Sequence, residues 1–255
     1  MSALLIVPAA GAGRRLGGSV PKVLAPVAGR AMIDYLLDLY NPVVDRFVVV
    51  LHPSAVAAVQ RHCGDRPWAI EYVTQAEPTG MLDALLEPSA RVAHHAPDRV
   101  WITWCDQVAV RRATVRRLAA FARDEPGADL ILPTAEQVNP YIHLVRDATG
   151  RIVDVLHRRE GDDLPPVGES DAGLFCLSRQ AYQEYLPRFA RVGATGAATR
   201  ERNFLPFLPW LAERAVVRSF PCGDPSEALG VNTPDDRRRV EAYLEGCRAR
   251  PGTDR

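Results

Sequence analysis

The sequence contains almost no lysine. Of its 31 basic residues only Lys22 is a lysine, and the basic residues are balanced by 31 acidic ones. A chain with no net charge offers no general electrostatic attraction for a nucleic acid or a membrane surface. We therefore expect neither of these partners, and any anionic ligand has to be held by local charges.

Paired cysteines and long apolar runs are also missing. The five cysteines include no C-x-x-C pair, which argues against a zinc site and a disulfide framework and is typical of reduced thiols in the cytoplasm. The stretch "ALLIVPAA" at residues 3–10 is too short to span a bilayer, and no basic residues precede it as in a signal peptide. The sequence thus predicts a cytoplasmic protein.

What the chain does have is an alternation of short apolar runs and segments of helical period. Apolar runs of this kind predict buried strands, and a helix after most of them predicts a parallel sheet covered on both faces. The fold class expected is therefore α/β, a Rossmann-like, mostly parallel mixed sheet. The strand candidates are residues 3–9, 46–52, 69–75, 99–105 and 128–134, and the helix candidates are residues 31–40, 54–63 and 111–125.

The second half changes character. Residues 141–157 predict two strands around an "ATG" turn, residues 171–178 predict another strand, and the acidic, proline-rich residues 159–170 predict a mobile loop. We expect a smaller, partly antiparallel lobe after the parallel part. The expected organisation is one domain over residues 1–245, made of a parallel part (1–135) and a more mixed part (136–245), followed by a tail (246–255).

The first strand runs into a glycine loop, Gly11-Ala12-Gly13. Backbone N–H groups in such a loop can approach a phosphate closely because glycine has no Cβ. One interpretation is a dinucleotide fingerprint, but Pro21 would break the helix that should follow, and the next strand lacks the ribose-binding acid at its end. The other is an extended loop that gathers Arg14, Arg15 and Lys22 into one anion site. Solvated loop residues remain the alternative for the two arginines.

Four motifs in order resemble the nucleotidyltransferases that use sugar phosphates, and in particular the N-acetylglucosamine-1-phosphate uridylyltransferases. The family signature L-A-A-G-x-G-T-R-(x)n-P-K is similar to residues 8–15 followed by Pro21-Lys22, and residues 23–38 resemble the segment that comes next. The other similar stretches are "QAEPTG" (75–80), "WCDQ" (104–107) and "EALGVNTPDD" (227–236).

This resemblance implies an activity and most of a site. An NTP would react with a sugar or cyclitol 1-phosphate to give an NDP-sugar and pyrophosphate. Arg15 would clamp phosphate oxygens bidentately, and Lys22 would supply a compact charge at the α-phosphate. The nucleotide-binding residues implied are Ala10, Gly11, Gly13, Gln75 and Gly80.

A magnesium site follows from the same resemblance. Asp106 comes after an apolar strand, and Asn232 lies in the "GVN" stretch. Mg²⁺ takes one or two hard oxygen ligands from a protein and others from substrate phosphates, so the pair would be a minimal set and Mg²⁺ the cofactor. A helix N-cap for Asp106 and a turn residue for Asn232 are the structural alternatives.

The acceptor side departs from the pattern. "ESDAG" stands where the family has E-x-N-x-G, so Glu169 and Asp171 are the candidates to bind acceptor hydroxyls. Met81 replaces a hydroxyl-bearing residue of the uridylyl pattern, and residues 199–211 differ strongly from the corresponding family segment. The base is therefore open, and we expect an unusual acceptor.

Two other functions remain as hypotheses. Cytidylyl or guanylyl transfer to a phosphonate, a molybdopterin or another non-sugar acceptor uses similar loops, and "CDQ" at residues 105–107 resembles their G-D-Q-P. A non-catalytic nucleotide or sugar sensor is the rival of another class, although a binder would not need both phosphate and metal ligands. The sequence does not decide whether the protein is a monomer or a homodimer.

Overall fold

A computed structural model describes residues 1–11, 16, 20–77, 79–193 and 195–249. Its centre is one mixed sheet. Its strands are β1 Ala3–Ala9, β4 Arg46–Leu51, β5 Ile70–Thr74, β6 Arg99–Thr103, β7 Leu130–Val138, β10 Val167–Asp171, β11 Leu174–Ser178 and β12 Val217–Pro221. Along the sheet they run in the order β12, β7, β11, β6, β1, β4, β5. The remaining strand, β10, pairs with the C-terminal end of β7, on the same side of β7 as β11.

Two small antiparallel pairs lie outside this sheet. The first joins β2 (Pro26–Val27) to β3 (Arg30–Ala31), and the second is a hairpin of β8 (Ile142–Arg146) and β9 (Ile152–His157). The described helices are α1 Met32–Tyr40, α2 Pro53–Cys63, α3 Met81–Leu86, α4 Ser89–His95, α5 Arg112–Asp124, α6 Leu186–Val192, α7 Phe207–Ala212 and α8 Pro234–Ala249. None of the helices in the described part of the chain is both long and apolar enough to cross a bilayer.

Alternation along the buried strands creates two cores, one on each face of the sheet. In β1, Leu5 and Val7 belong to the core that contains α1, α2, α5 and α8, whereas Leu4 and Ile6 belong to the core that contains α3, α4, α6 and α7. A strand buried on both faces is apolar throughout, which is why its run was visible in the sequence. The predicted α/β fold class, with a mostly parallel mixed sheet and helices on both faces, is confirmed.

The prediction of a mobile loop over residues 159–170 is wrong at its C-terminal end. Residues Val167–Asp171 form β10 and pair antiparallel with β7, which extends to Val138. β10 contains no apolar run that would indicate a strand in the sequence. It forms because its backbone pairs with the neighbouring strand β7. The predicted two strands in residues 141–157 are confirmed as β8 and β9.

The sheet opens a crevice between β1 and β6. β1 pairs with β4 as far as Ala9 but with β6 only as far as Ile6. Pro8, two residues after Ile6, has no N–H to donate to β6. Of the two neighbours of β1, β4 follows it along the chain and lies on one side, and β6 comes later and lies on the other side. Ligands of open α/β sheets bind at such a switch point, outside the carboxyl ends of the strands.

Candidate active site

A cleft of about 830 Å³ lies over this crevice. It continues from the glycine loop past the end of β6 to the β8–β9 hairpin. The structure brings eight of the predicted site residues to its lining: Ala10, Gly11, Lys22, Gln75, Gly80, Asp106, Asp171 and Asn232. Arg15 and Gly13 lie outside the described residues, so their predicted roles stay predictions.

Lys22 connects two of these cleft-lining residues. Its Nζ donates to Oδ2 of Asp106 at 2.6 Å and to Oδ1 of Asn232 at 2.9 Å. The Lys22 and Asp106 side chains are each 13% exposed, so a ligand in the cleft can reach them although they are largely screened from bulk water. Residues 84 and 210 positions apart in the chain are thereby gathered around one ammonium group.

The backbone fixes this meeting point. Lys22 begins a 3-10 turn, Lys22–Leu24, whose Val23 is fully buried. On the other side the Val231 N–H donates to the Asp106 carbonyl oxygen at 3.1 Å, which brings Asn232 beside Asp106. Asp236 in the first turn of α8 then accepts from the backbone N–H groups of Asn232 and Thr233, a capping arrangement that holds the Asn232 backbone in place.

Asp106 and Asn232 have the chemistry that magnesium needs. One oxygen of each lies within hydrogen-bond distance of the same Lys22 nitrogen, so two hard oxygen atoms converge on one position that already accommodates a positive charge. That is the share of a Mg²⁺ site a protein usually supplies. Within the described ranges, no group of three or more His, Cys, Asp or Glu side chains could hold a metal ion, and further ligands would have to come from substrate and water.

The part of the cleft predicted to bind the nucleobase consists of backbone groups and the side-chain amide of Gln75. Gln75 follows β5, is 4% exposed, and its Nε2 is 3.4 Å from the Gly80 carbonyl oxygen. Gly80 adopts φ +136°, and a Cβ there would lie 2.4 Å from the Arg202 nitrogen, so only glycine fits. A Cβ on Gly11 would meet no atom of the described residues within 4 Å.

Asp171 lies at the end of β10 and is 7% exposed. Burial raises the pKa of its carboxyl from 3.8 to about 6, and the charge of Asp106 adds to this rise, while the hydrogen bond from the Gly173 N–H opposes it. That bond is 2.8 Å long. A carboxylate that is buried at some cost and faces a cleft is a candidate ligand-binding group.

Glu169 is not among the residues that line the cleft. Its two carboxylate oxygens accept from Nε and Nη2 of Arg146, each at 2.6 Å, and Arg146 also donates to Ser219. A bidentate ion pair of this kind satisfies the carboxylate within the protein. The structure therefore places Asp171 at the cleft but gives Glu169 a partner in the β8–β9 hairpin.

The segment 195–206 forms one wall of the cleft and is fastened by Glu160. The Glu160 carboxylate accepts from the backbone N–H groups of Ala198 and Thr199, from the Thr199 hydroxyl at 2.5 Å and from Asn203 Nδ2 at 2.9 Å. These bonds, the Thr199 hydroxyl foremost, lower the pKa of Glu160 to about 2. Sequence reasoning gave Glu160 no role, because its partners are about 40 residues away.

A comparison with protein families identifies the class of protein. Residues 5–169 match the model of the MobA-like NTP transferase domain. The chain belongs to that family. The matched range contains Lys22, Gln75, Gly80 and Asp106, whereas Asp171 and Asn232 lie after its end.

Curated relatives carry the similarity further along the chain. The protein is 27% identical over 247 residues to the bifunctional protein GlmU of Stenotrophomonas maltophilia, covering 93% of this chain and 50% of that protein. For GlmU of Pelotomaculum thermopropionicum the identity is 26%, over 96% of this chain and 52% of the relative. For GlmU of Pseudomonas aeruginosa it is 26%, over 98% and 53%. The chain thus spans about half the length of the curated relatives it matches.

The buried carboxyl of Asp171 predicts a gain in stability when a neutral side chain replaces it. Because its pKa is higher in the folded than in the unfolded protein, stability falls as pH rises from about 4 to about 6 and then levels off. The difference from 3.8 to about 6 corresponds to about 3 kcal/mol. Asp171→Asn, which stays neutral, should raise Tm by several degrees at pH 7.5 and by little at pH 4.

Differential scanning fluorimetry across that pH range is the measurement. Asp154→Asn is the matched control, since Asp154 is exposed on β9 and does not line the cleft. A Tm gain for Asp171→Asn that is the same at pH 4 and pH 7.5, or a loss at pH 7.5, would contradict the burial argument.

Proposed function

We propose that this protein is a nucleotidyltransferase that joins an NTP to a sugar or cyclitol 1-phosphate, releasing pyrophosphate. The observation that carries the proposal is the convergence of Lys22, Asp106 and Asn232 in the cleft that Gly11 lines, in a chain of the MobA-like NTP transferase family. A sensor would need to bind only a nucleotide or a sugar. A cation and two metal-type oxygens at the same point favour phosphoryl chemistry.

The reaction proposed is an in-line substitution. A phosphate oxygen of the acceptor forms a bond to the α-phosphorus of the NTP, while the bond from that phosphorus to the bridging oxygen of the β-phosphate breaks and pyrophosphate leaves. Two anions must meet, so catalysis consists mostly of positioning and charge neutralisation. Lys22 lines the same cleft as Gly11, at the proposed nucleotide end, and Asp171, at the proposed acceptor end. Its ammonium would offset the negative charge of the reacting phosphates.

Magnesium is the proposed cofactor, and Asp106 and Asn232 are the residues that would hold it. When bound, Mg²⁺ neutralises phosphate charge and orients the phosphates. The residues of the chain do the rest: Lys22 neutralises charge at the α-phosphate, Gln75 offers an amide to the base edge, and Asp171 accepts hydrogen bonds from the acceptor. All five cysteines are free thiols, which supports a cytoplasmic location as part of the proposal.

Pyrophosphate release tests the proposal. The full chain would be incubated with Mg²⁺ and each of ATP, CTP, GTP, UTP and dTTP, paired with a panel of sugar, amino-sugar and cyclitol 1-phosphates, and products identified by mass spectrometry. We expect pyrophosphate and an NDP-acceptor from a specific pair, and at least about 100-fold slower formation of both with Asp106→Asn. Tight NTP binding without pyrophosphate from any pair would overturn the proposal in favour of a sensor.

A non-sugar phosphorylated acceptor is the second candidate. It is favoured by the match to the model of the MobA-like NTP transferase domain and by the low identity to the GlmU relatives, 27% for the Stenotrophomonas protein. Adding phosphonates and amino-alcohol phosphates to the same panel distinguishes it.

A further inference from the structure

Two stretches that depart from the uridylyl pattern lie against each other in the structure. They are residues 79–82, which lead into α3, and residues 199–206, which belong to the wall of the cleft. Arg202 joins them through its backbone. Its N–H donates to the Thr79 carbonyl oxygen, and its carbonyl oxygen accepts from the Leu82 N–H, each at 2.9 Å. Two hydrogen bonds thus pair backbones that lie about 120 residues apart in the chain.

Gly80 lies between these two hydrogen bonds. A Cβ on it would lie 2.4 Å from the Arg202 nitrogen and 2.5 Å from the Arg202 carbonyl oxygen, so the two backbones touch directly. The Gly80 carbonyl oxygen faces Nε2 of Gln75 at 3.4 Å, and Gln75 is the predicted base-binding amide. The Arg202 backbone therefore fixes the Gly80 peptide, which in turn orients the Gln75 amide.

Arg202 also holds the start of α3. The N-cap position of α3 is Gly80, which has no side chain to accept from the first N–H groups of the helix. The Arg202 carbonyl oxygen accepts from one of them, and its Nη1 pairs with Oδ1 of Asp83 in the first turn. Its Nη2 donates to the carbonyl oxygen of Ala190 in α6. One guanidinium therefore ties α3 to α6.

Arg202 can affect a ligand only through these contacts. Neither Arg202 nor Asp83 lines the cleft, whereas Gln75, Gly80 and Met81 do. The Arg202 and Asp83 side chains are 32% and 19% exposed, and a partly exposed ion pair contributes little to the stability of a fold. Breaking this pair should therefore shift the neighbouring cleft residues without unfolding the protein.

We infer that Arg202 is a positioning residue for nucleobase selection. It holds the Gly80 peptide and the start of α3 in the places where Gln75, Gly80 and Met81 would meet the base. This inference rests on the proposed transfer reaction and assigns part of its base selectivity to a residue outside the family-matched range 5–169. An arginine suits this role because its planar fork donates in two directions at once, here to α3 and to α6.

Discrimination among nucleobases is the readout that tests this role. With the acceptor found in the pyrophosphate assay held fixed and Mg²⁺ present, kcat/KM would be measured for ATP, CTP, GTP, UTP and dTTP. We expect the wild-type protein to prefer one or two of these NTPs. In Arg202→Ala the ratio of the best NTP to the others should fall by about 5- to 10-fold, the loss that corresponds to one misplaced hydrogen bond. Most of the change should be a higher KM for the best NTP, because the phosphates react at Lys22 and not at the base.

Further variants assign the effect to the contact. Asp83→Ala removes the carboxylate that pairs with Nη1 and should lower the ratio in the same direction, so it carries the test if Arg202→Ala does not fold. The double variant should show no greater loss than Arg202→Ala alone, because both substitutions break one contact. Arg202→Lys keeps the charge but has a single side-chain nitrogen, and it should restore the ratio only in part.

Arg200→Ala is the matched control. Arg200 is an exposed arginine of the same segment and does not line the cleft. Its replacement makes the same change of charge a short distance along the chain, and it should leave the ratio among the NTPs unchanged.

The outcomes separate this inference from the transferase proposal. An equal fall in kcat/KM with all five NTPs, so that their ratios are kept, would mean a structural role for Arg202 and overturn the inference. Wild-type protein that uses all five NTPs equally well would overturn it too, and both results leave the transferase standing. No pyrophosphate from any pair of NTP and acceptor overturns the transferase, and the inference falls with it.

Discussion

Lys22→Ala is expected to lower kcat by about 10²- to 10³-fold, the range measured when one preorganised charge-stabilising donor is removed from an active site. Lys22 Nζ lies 2.6 Å from Asp106 and 2.9 Å from Asn232, so the variant removes the cation at the point where the phosphates should meet. The NTP KM should change much less than kcat, because the charge matters most in the transition state.

Lys22→Arg is the matched control. Every other basic residue of the chain apart from the histidines is already arginine, so an arginine here would be ordinary if only positive charge were required. A planar guanidinium does not reproduce a compact ammonium held between two oxygen atoms, and we expect it to restore less than a tenth of the lost activity, by the same order-of-magnitude argument. Wild-type kcat in Lys22→Ala would remove this residue from the mechanism.

Asp106→Asn is expected to lower turnover by at least about 100-fold and to raise the Mg²⁺ concentration needed for half-maximal activity. The substitution keeps the shape of the side chain and removes the charge that a metal ion would neutralise. Magnesium titrations of initial rate measure both effects.

Two substitutions of Asn232 test the second proposed metal ligand. Asn232→Asp keeps an oxygen at the position of Oδ1 and should retain metal-dependent activity, whereas Asn232→Leu removes that oxygen and should behave like Asp106→Asn. An unaltered magnesium requirement in Asp106→Asn, or equal activity in the two Asn232 variants, would contradict the metal role of these residues.

The central sheet was predictable because its strands are buried on both faces. The strand expected over residues 3–9 is β1, Ala3–Ala9, and Asp106 follows β6 at the edge where parallel strands place their ligands. In both cases the information lies in a continuous apolar run and in the residue that ends it. Asn232 could be brought to the same point only through the resemblance, since no periodicity links positions 210 residues apart.

The acceptor side was less predictable because its contacts are polar and long-range. The sequence shows Glu169 two residues before Asp171 but does not show that Arg146 takes up the Glu169 carboxylate. Likewise β10 exists because β7 extends beside it, and segment 195–206 is held by hydrogen bonds to Glu160. Helical period and strand alternation in a sequence report which residues are buried. These segments are instead held by polar contacts and backbone pairing with distant residues, which such patterns do not report.

The most direct test of the central claim is NTP binding in this cleft. Thermal shift of the full chain would be measured with ATP, CTP, GTP, UTP and dTTP, each with and without Mg²⁺, alongside Asp106→Asn and Asp154→Asn. A ligand that binds only the native state raises Tm by mass action. We predict a Tm rise with at least one NTP that requires Mg²⁺, is lost in Asp106→Asn and is kept in Asp154→Asn. No shift with any NTP, with or without a phosphorylated acceptor present, would contradict the claim that Lys22, Asp106 and Asn232 form a nucleotidyltransferase site.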